Sequence, residues 1–229
     1  RERVLDVAAQ MPHHALRVYV MGERAVRHEA ATAADIEAMA TLTEQALRAG
    51  AFGFTTSRTD QHKTVSGELV PGRYSRADEL VGIGRAMGRA GHGNFGLISD
   101  FEDEAAEFEL LTKVGQDSGR PVWFLLTDRA ADPQRWRRLV AGVKKARTQG
   151  AQMSAQVAGR PIGLILGLNT SLNPFSIRSA YKALEQLPAA QRLARLKDPE
   201  VKRAILNDPV SDALLEVLPP LSRQIATRW

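Results

Sequence analysis

Asn94-Phe95-Gly96-Leu97-Ile98 is a short β-prone run, Asp103 to Gln116 follows at helical spacing, and Val122-Trp123-Phe124-Leu125-Leu126 is a second such run. Short apolar runs bounded by turn residues suit buried strands. The amphipathic segment between them is long enough to carry the chain back across a sheet, so the two strands are predicted to run parallel.

The same unit recurs on both sides. Downstream, Pro133 to Thr148 reads as a helix with Pro133 near its first position, and Gln152-Met153-Ser154-Ala155-Gln156-Val157 as a further strand. Upstream lie a strand at Phe52-Gly53-Phe54-Thr55, a long polar loop from Thr56 to Arg76, and a helix from Ala77 to about Ala90. Before them, Leu16-Arg17-Val18-Tyr19-Val20-Met21 is β-prone and ends at Gly22. A helix then begins at Thr32, a residue suited to the N-cap; Ile36, Met39, Ala40, Leu42, Ala46 and Leu47 keep its period, and Gly50 stops it.

Strands alternating with helices predict an α/β fold with a parallel sheet. No Gly-x-Gly-x-x-Gly follows any strand, so the sequence favours a barrel over a dinucleotide-binding sheet. The prediction is a partial (β/α)8 TIM-type barrel of about five βα units over residues 1–157. A C-terminal helical insertion over 158–229 forms a subdomain or lid. In it, Leu184 to Leu187, Ala189 to Leu196 and Pro199 to Leu206 read as short helices. Five units fall short of the eight that close a barrel, and an open one would expose sheet edges. The chain therefore reads as part of something larger, completed by the rest of the barrel or an oligomer partner.

Composition narrows the classes. There is no cysteine, so disulfides and thiolate metal sites are excluded. No apolar run reaches the roughly 18 residues that span a bilayer, and Arg1-Glu2-Arg3-Val4 does not read as a signal peptide. A soluble, cytoplasmic protein without membrane partners is expected. Residues 1–119 hold 13 Lys+Arg against 18 Asp+Glu, and residues 120–229 hold 18 against 8, so the second half is strongly basic. Those cations spread over helix faces such as Arg135-Trp136-Arg137-Arg138 without Gly- or aromatic-rich RNA signatures, which argues against nucleic acid.

Three stretches, in order, carry a resemblance: Pro12-His13-His14-Ala15-Leu16-Arg17-Val18-Tyr19-Val20-Met21-Gly22, then Ala46 through Thr59 containing Gly53-Phe54-Thr55-Thr56-Ser57-Arg58-Thr59, then Ser171-Leu172-Asn173-Pro174-Phe175. His62 after Thr-Ser-Arg-Thr, and Ala194-Arg195-Leu196-Lys197-Asp198-Pro199-Glu200-Val201, add to it. Over nearly its whole length the chain resembles an internal segment of the amidohydrolase superfamily, in the branch of the N-acyl-D-amino-acid deacylases (D-aminoacylases). The resemblance implies a (β/α)8 barrel and hydrolysis of the amide of an N-acyl-D-amino acid by water activated on zinc or another divalent metal. It places a His-x-His pair before Arg1 and an aspartate after Trp229. It also leaves Ile98 or Ser99, and Leu126, where the middle strands of the family carry histidine, and such side chains are not zinc ligands. No metal is therefore expected to be held by this chain alone.

Barrel chemistry sits at the C-terminal strand ends and the loops after them. That position nominates Ser57, Arg58, Thr59 and His62, whose hydroxyls and guanidinium could bind a substrate carboxylate, and Gln156 and Arg160 after the fifth strand. Asp100 is the candidate base, against the alternative that it caps a helix. Asp128 reads more readily as a cap. His13 and His14 precede the first predicted strand, which puts them at the opposite face, and none of the five histidines ends a predicted strand. Asn173 reads as a turn cap. With no Gly-x-Ser-x-Gly elbow and no cysteine, covalent hydrolysis is disfavoured. Three classes stand: a metal amidohydrolase segment, a non-catalytic ligand-binding barrel derivative, and a basic nucleic-acid-binding scaffold.

Overall fold

A computed structural model describes residues 4–64, 66–127, 132–160, 167, 168, 170, 173, 175, 176 and 178–208. The chain divides into two compact units, one of residues 1–127 and 136–157, the other of residues 128–135 and 158–229.

In the first unit, β1 (Gln10–Pro12), β2 (Gly53–Arg58), β3 (Asn94–Ser99), β4 (Val122–Leu125) and β5 (Met153–Gln156) form one sheet in the order β1-β2-β3-β4-β5. Every neighbouring pair is parallel. A doubly wound sheet reverses its order at a switch point, whereas strictly sequential order is that of a barrel wall. The fold is thus α/β and corresponds to a partial barrel.

The helices are α1 (His13–Met21), α2 (Glu23–Val26), α3 (Ala33–Arg48), α4 (Ala77–Ala90), α5 (Glu104–Ser118) and α6 (Arg135–Thr148). Their starts follow local chemistry. Thr32 and Asp35 form a complete capping box at α3, and the Asp103 carboxylate accepts the Ala106 amide at α5. Gly91 and Gly119, both left-handed, end α4 and α5. α3 packs on α4 and α4 on α5, and the core fills the space beneath with Phe54, Phe95, Leu97 and Phe124 from the strands and Leu80, Ile83, Met87, Leu111 and Val114 from the helices.

One expectation fails. Leu16–Met21 is not a strand: it belongs to α1, and the first strand is the short β1 that precedes it. The β-branched and aromatic composition of Val18-Tyr19-Val20 suggested a pleated surface. Yet Val18 and Tyr19 are exposed, while His13, Leu16, Arg17 and Met21 are buried at helical spacing. Tertiary burial along one helical stripe has overridden local propensity.

The second unit contains α7 (Ser179–Glu185), α8 (Ala189–Leu196) and α9 (Pro199–Asn207), around a small core of Tyr181, Leu184 and Ile205. α7 starts and ends earlier than Leu184 to Leu187. Asp198 caps α9, whose first residue is Pro199. The Asn173 side chain accepts the Phe175 amide at 2.9 Å, the turn role expected of it. Pro209 to Trp229 lie outside the described residues.

Candidate active-site rim

The parallel register brings the C-terminal ends of all five strands to one edge of the sheet. Because β1 ends at Pro12, His13 and His14 follow a strand instead of preceding one, and so lie on this edge. This corrects their expected placement at the opposite face, and the expectation that no histidine ends a strand.

His13 is fully buried and both its nitrogens are engaged: Nε2 lies 2.7 Å from Glu79 Oε1, and Nδ1 2.7 Å from Thr56 Oγ1. An ionised Glu79 can only accept, so the imidazole proton belongs on Nε2 and Nδ1 accepts from the Thr56 hydroxyl. Arg17 completes the cluster. Its Nε donates to Glu79 Oε1 at 2.7 Å, Nη1 to the Pro71 carbonyl at 2.6 Å, and Nη2 to the Glu29 carbonyl at 2.9 Å. Burial pushes the His13 pKa below the ordinary histidine value, against the opposing pull of Glu79. Burial also opposes ionisation of Glu79, but the hydrogen bonds and charges of His13 and Arg17 outweigh it and hold the carboxyl low.

His14 Nδ1 accepts the Gly72 amide at 3.1 Å. Burial first, then the fields of His13, His62 and Arg17, lower its pKa to about 4. His62 reaches back over the end of β2, where its Nδ1 hydrogen-bonds Ser57 Oγ. Ser57 is buried and His62 exposed.

Arg58 ends β2. Its Nε donates to both Glu107 oxygens, at 2.8 and 3.1 Å, and its Nη1 to the Ser75 carbonyl at 2.7 Å. Beside it, the Thr59 hydroxyl donates to Asp100 Oδ1 and the Asp60 amide to Asp100 Oδ2, both at 2.8 Å. Asp100 therefore fastens the β2 and β3 ends together and does not cap α5, which Asp103 does. Phe101 follows it at φ 48°, buried against Phe108 and Phe124. A left-handed backbone is strained for a bulky residue.

Arg73 gathers the neighbouring acids, reaching Asp60 at 2.6 Å, Glu102 at 2.8 Å and Asp100 at 4.0 Å. A sequence model of the amidohydrolase family matches residues 1–222.

The chain belongs to the amidohydrolase family.

Two solved structures are similar to this amidohydrolase. One comes from work on the functional role of the binuclear metal centre in D-aminoacylase, the other is an aspartate-to-alanine mutant of D-aminoacylase in complex with copper(II) chloride. Each is 21% identical with a TM-score of 0.51, over 63% of this chain and 28% of that one. No curated protein matches the chain. The amidohydrolase segment thus spans less than a third of the D-aminoacylase chains, and at this identity the likeness concerns the fold.

The ends of β3 and β4 in this amidohydrolase do not fit a histidine-built metal centre. β3 ends in Ile98 and Ser99, and the Ser99 hydroxyl accepts the Phe101 amide at 3.0 Å. Leu126, just past β4, packs against the hydrophobic core. Among the described residues, Asp60, Asp100 and Glu102 place three possible ligand atoms within 4.8 Å of one another, but the Arg73 guanidinium already binds that group. An arginine there repels a cation.

Gln156 ends β5. Arg160 is exposed and belongs to the second unit. Asp128 lies outside the described residues. The sequence reading missed Arg17, Gly72, Arg73, Glu79 and Glu107, and misplaced His13 and His14. The spacing His13, Leu16/Arg17, Val20/Met21 was the available signal, since it follows a helix period.

Proposed function

We propose that this amidohydrolase segment belongs to an enzyme that hydrolyses the amide (C–N, non-peptide) bond of an N-acyl-D-amino acid. The observation that carries this reading is the family match across residues 1–222, supported by the fold shared with D-aminoacylase. The substrate is a small molecule, and the strand-end rim is the surface that receives it.

Within this reading, Arg58 binds the substrate carboxylate, with the Ser57 and Thr59 hydroxyls, His62 and Gln156 as further polar contacts. Arg58 is pre-oriented by Glu107 and Ser75, so a substrate carboxylate would share or replace the Glu107 contact. Asp100, with both oxygens accepting hydrogen bonds, is the group proposed to take a proton at the rim. Zinc or another divalent metal belongs to the whole protein in this reading, with no ligand from the ends of β3 and β4. The remainder of the barrel is the partner that completes the sheet.

The test is hydrolysis by the whole protein of paired N-acyl-D- and N-acyl-L-amino acids. Turnover of the D series is expected. Binding of either series without turnover would replace this reading with the non-catalytic ligand-binding one.

A further inference from the structure

The Pro71–Gly72 turn is fastened to α1 from two directions. Arg17 Nη1 holds the Pro71 carbonyl at 2.6 Å, and the Gly72 amide donates to His14 Nδ1 at 3.1 Å. Gly72 sits so close that a Cβ there would lie 2.6 Å from His14 Nδ1 and 2.9 Å from His13 Nδ1. The turn is tied onward to the strand ends: Ser75 Oγ donates to the Gly72 carbonyl at 2.9 Å, and the Ser75 carbonyl accepts Arg58 Nη1 at 2.7 Å.

A ring nitrogen that accepts a backbone N–H must be unprotonated, because an imidazolium offers two donors and no acceptor. We propose that the Gly72–His14 hydrogen bond is a proton-operated latch: it pins the Pro71–Gly72 turn to α1 while His14 is neutral, and protonation of Nδ1 releases the turn. The surroundings set the direction. The charges that reach His14 are those of His13 and Arg17 on α1 and His62 in the loop, all cationic when protonated. Glu79 on α4 is spent on His13 and Arg17, and Arg58 on β2 is held by Glu107 and Ser75. A charged His14 in the closed state would lose a hydrogen bond and face like charges, and opening the turn relieves both. Release would also loosen the Ser75 anchor of Arg58, so the latch couples acidity to the order of the rim.

Closed, His14 titrates at about 4; a released imidazole returns to about 6.5. Linkage then makes the opening constant rise as pH falls, by less than about tenfold per unit between those values and by about 300-fold only from well above 6.5 to well below 4. The experiment is hydrogen exchange of the full chain, corrected for intrinsic rates, followed at residues 66–76 with β3 as the internal control. Wild type is expected to lose protection at Gly72 by about 40-fold in all as pH falls from 6.5 to 4.5, before β3 does. His14→Gln, whose side chain still offers an acceptor but does not titrate, should show a flat profile. Gly72→Ala should leave the turn unprotected already at pH 7. A wild-type profile as flat as that of His14→Gln, or the same slope in both, would overturn the latch. If His14→Gln does not fold, an NMR titration of the His14 ring in wild type decides: protonation near 6.5 with an unmoved Gly72 amide also overturns it.

Discussion

His13 Nε2 and Glu79 Oε1 meet at 2.7 Å in the interior although 66 residues separate them in the chain. Arg17 Nε takes the same oxygen at 2.7 Å, so one buried carboxylate joins α1 to α4 and sets where both stand relative to Thr56 on β2. Removing it strands a buried guanidinium. Glu79→Ala is expected to cost about 3–5 kcal/mol, the scale for breaking one side of a buried ion pair. Denaturant unfolding measures it. A double replacement of Arg17 and Glu79 by apolar residues should cost less than the two single changes together, and strict additivity would show that the pair is not coupled.

Stability should fall on the acid side of neutrality. His13 and His14 both have folded-state pKa values below 6.5, chiefly through burial, so below 6.5 the unfolded chain binds protons that the folded chain refuses. Their contribution is present above that value and is lost as pH drops below it, that of His14 by about 4. Glu79, held low by its partners, adds a loss of the same sign below its ordinary range near 4.5. Urea midpoints should be level between pH 8 and 7 and then decline. A midpoint unchanged down to pH 5 would contradict the burial of these imidazoles.

Arg58→Ala in the whole enzyme should raise KM by about 10- to 150-fold, the equivalent of about 1.5–3 kcal/mol for a charge-assisted contact, with kcat little changed. Because the change also leaves Glu107 without its partner, the variant's thermal midpoint must be read alongside the kinetics. Unaltered KM in a variant that still folds would remove Arg58 from substrate recognition.

The chain by itself should hold no catalytic metal and hydrolyse no amide. Ile98, Ser99 and Leu126 provide no imidazole at the ends of β3 and β4, and Arg73 already occupies the Asp60 and Glu102 carboxylates of the acidic group. Metal analysis of the purified 229 residues, with an N-acyl-D-amino-acid assay, checks both statements. Stoichiometric zinc with turnover abolished by a chelator would place the ligands inside the chain after all.

Gly53→Ala should be poorly tolerated. A Cβ at this first residue of β2 would lie 2.2 Å from the Asn94 carbonyl oxygen on β3. Backbone on backbone cannot yield as a side-chain tip can, so a loss of at least about 1–3 kcal/mol is expected in the same unfolding measurement.

The sequence by itself determined the repeated strand–helix unit, its parallel sheet, and the cap at Thr32, because each depends on chemistry within a few residues: apolar period, a side-chain oxygen beside free amides, a glycine where the backbone turns left-handed. It misread the beginning of the chain for the same reason. Leu16–Met21 has the local composition of a strand, and only the packing of His13, Arg17 and Met21 into the interior makes it a helix. Which rim residues meet was a tertiary decision throughout. Glu79 with His13, Gly72 with His14, Glu107 with Arg58 and Thr59 with Asp100 are 41 to 66 residues apart. Their pairing follows from strand register and from how far each loop returns over the sheet edge. No local propensity encodes those distances, so the groups could be nominated from sequence while their partners could not.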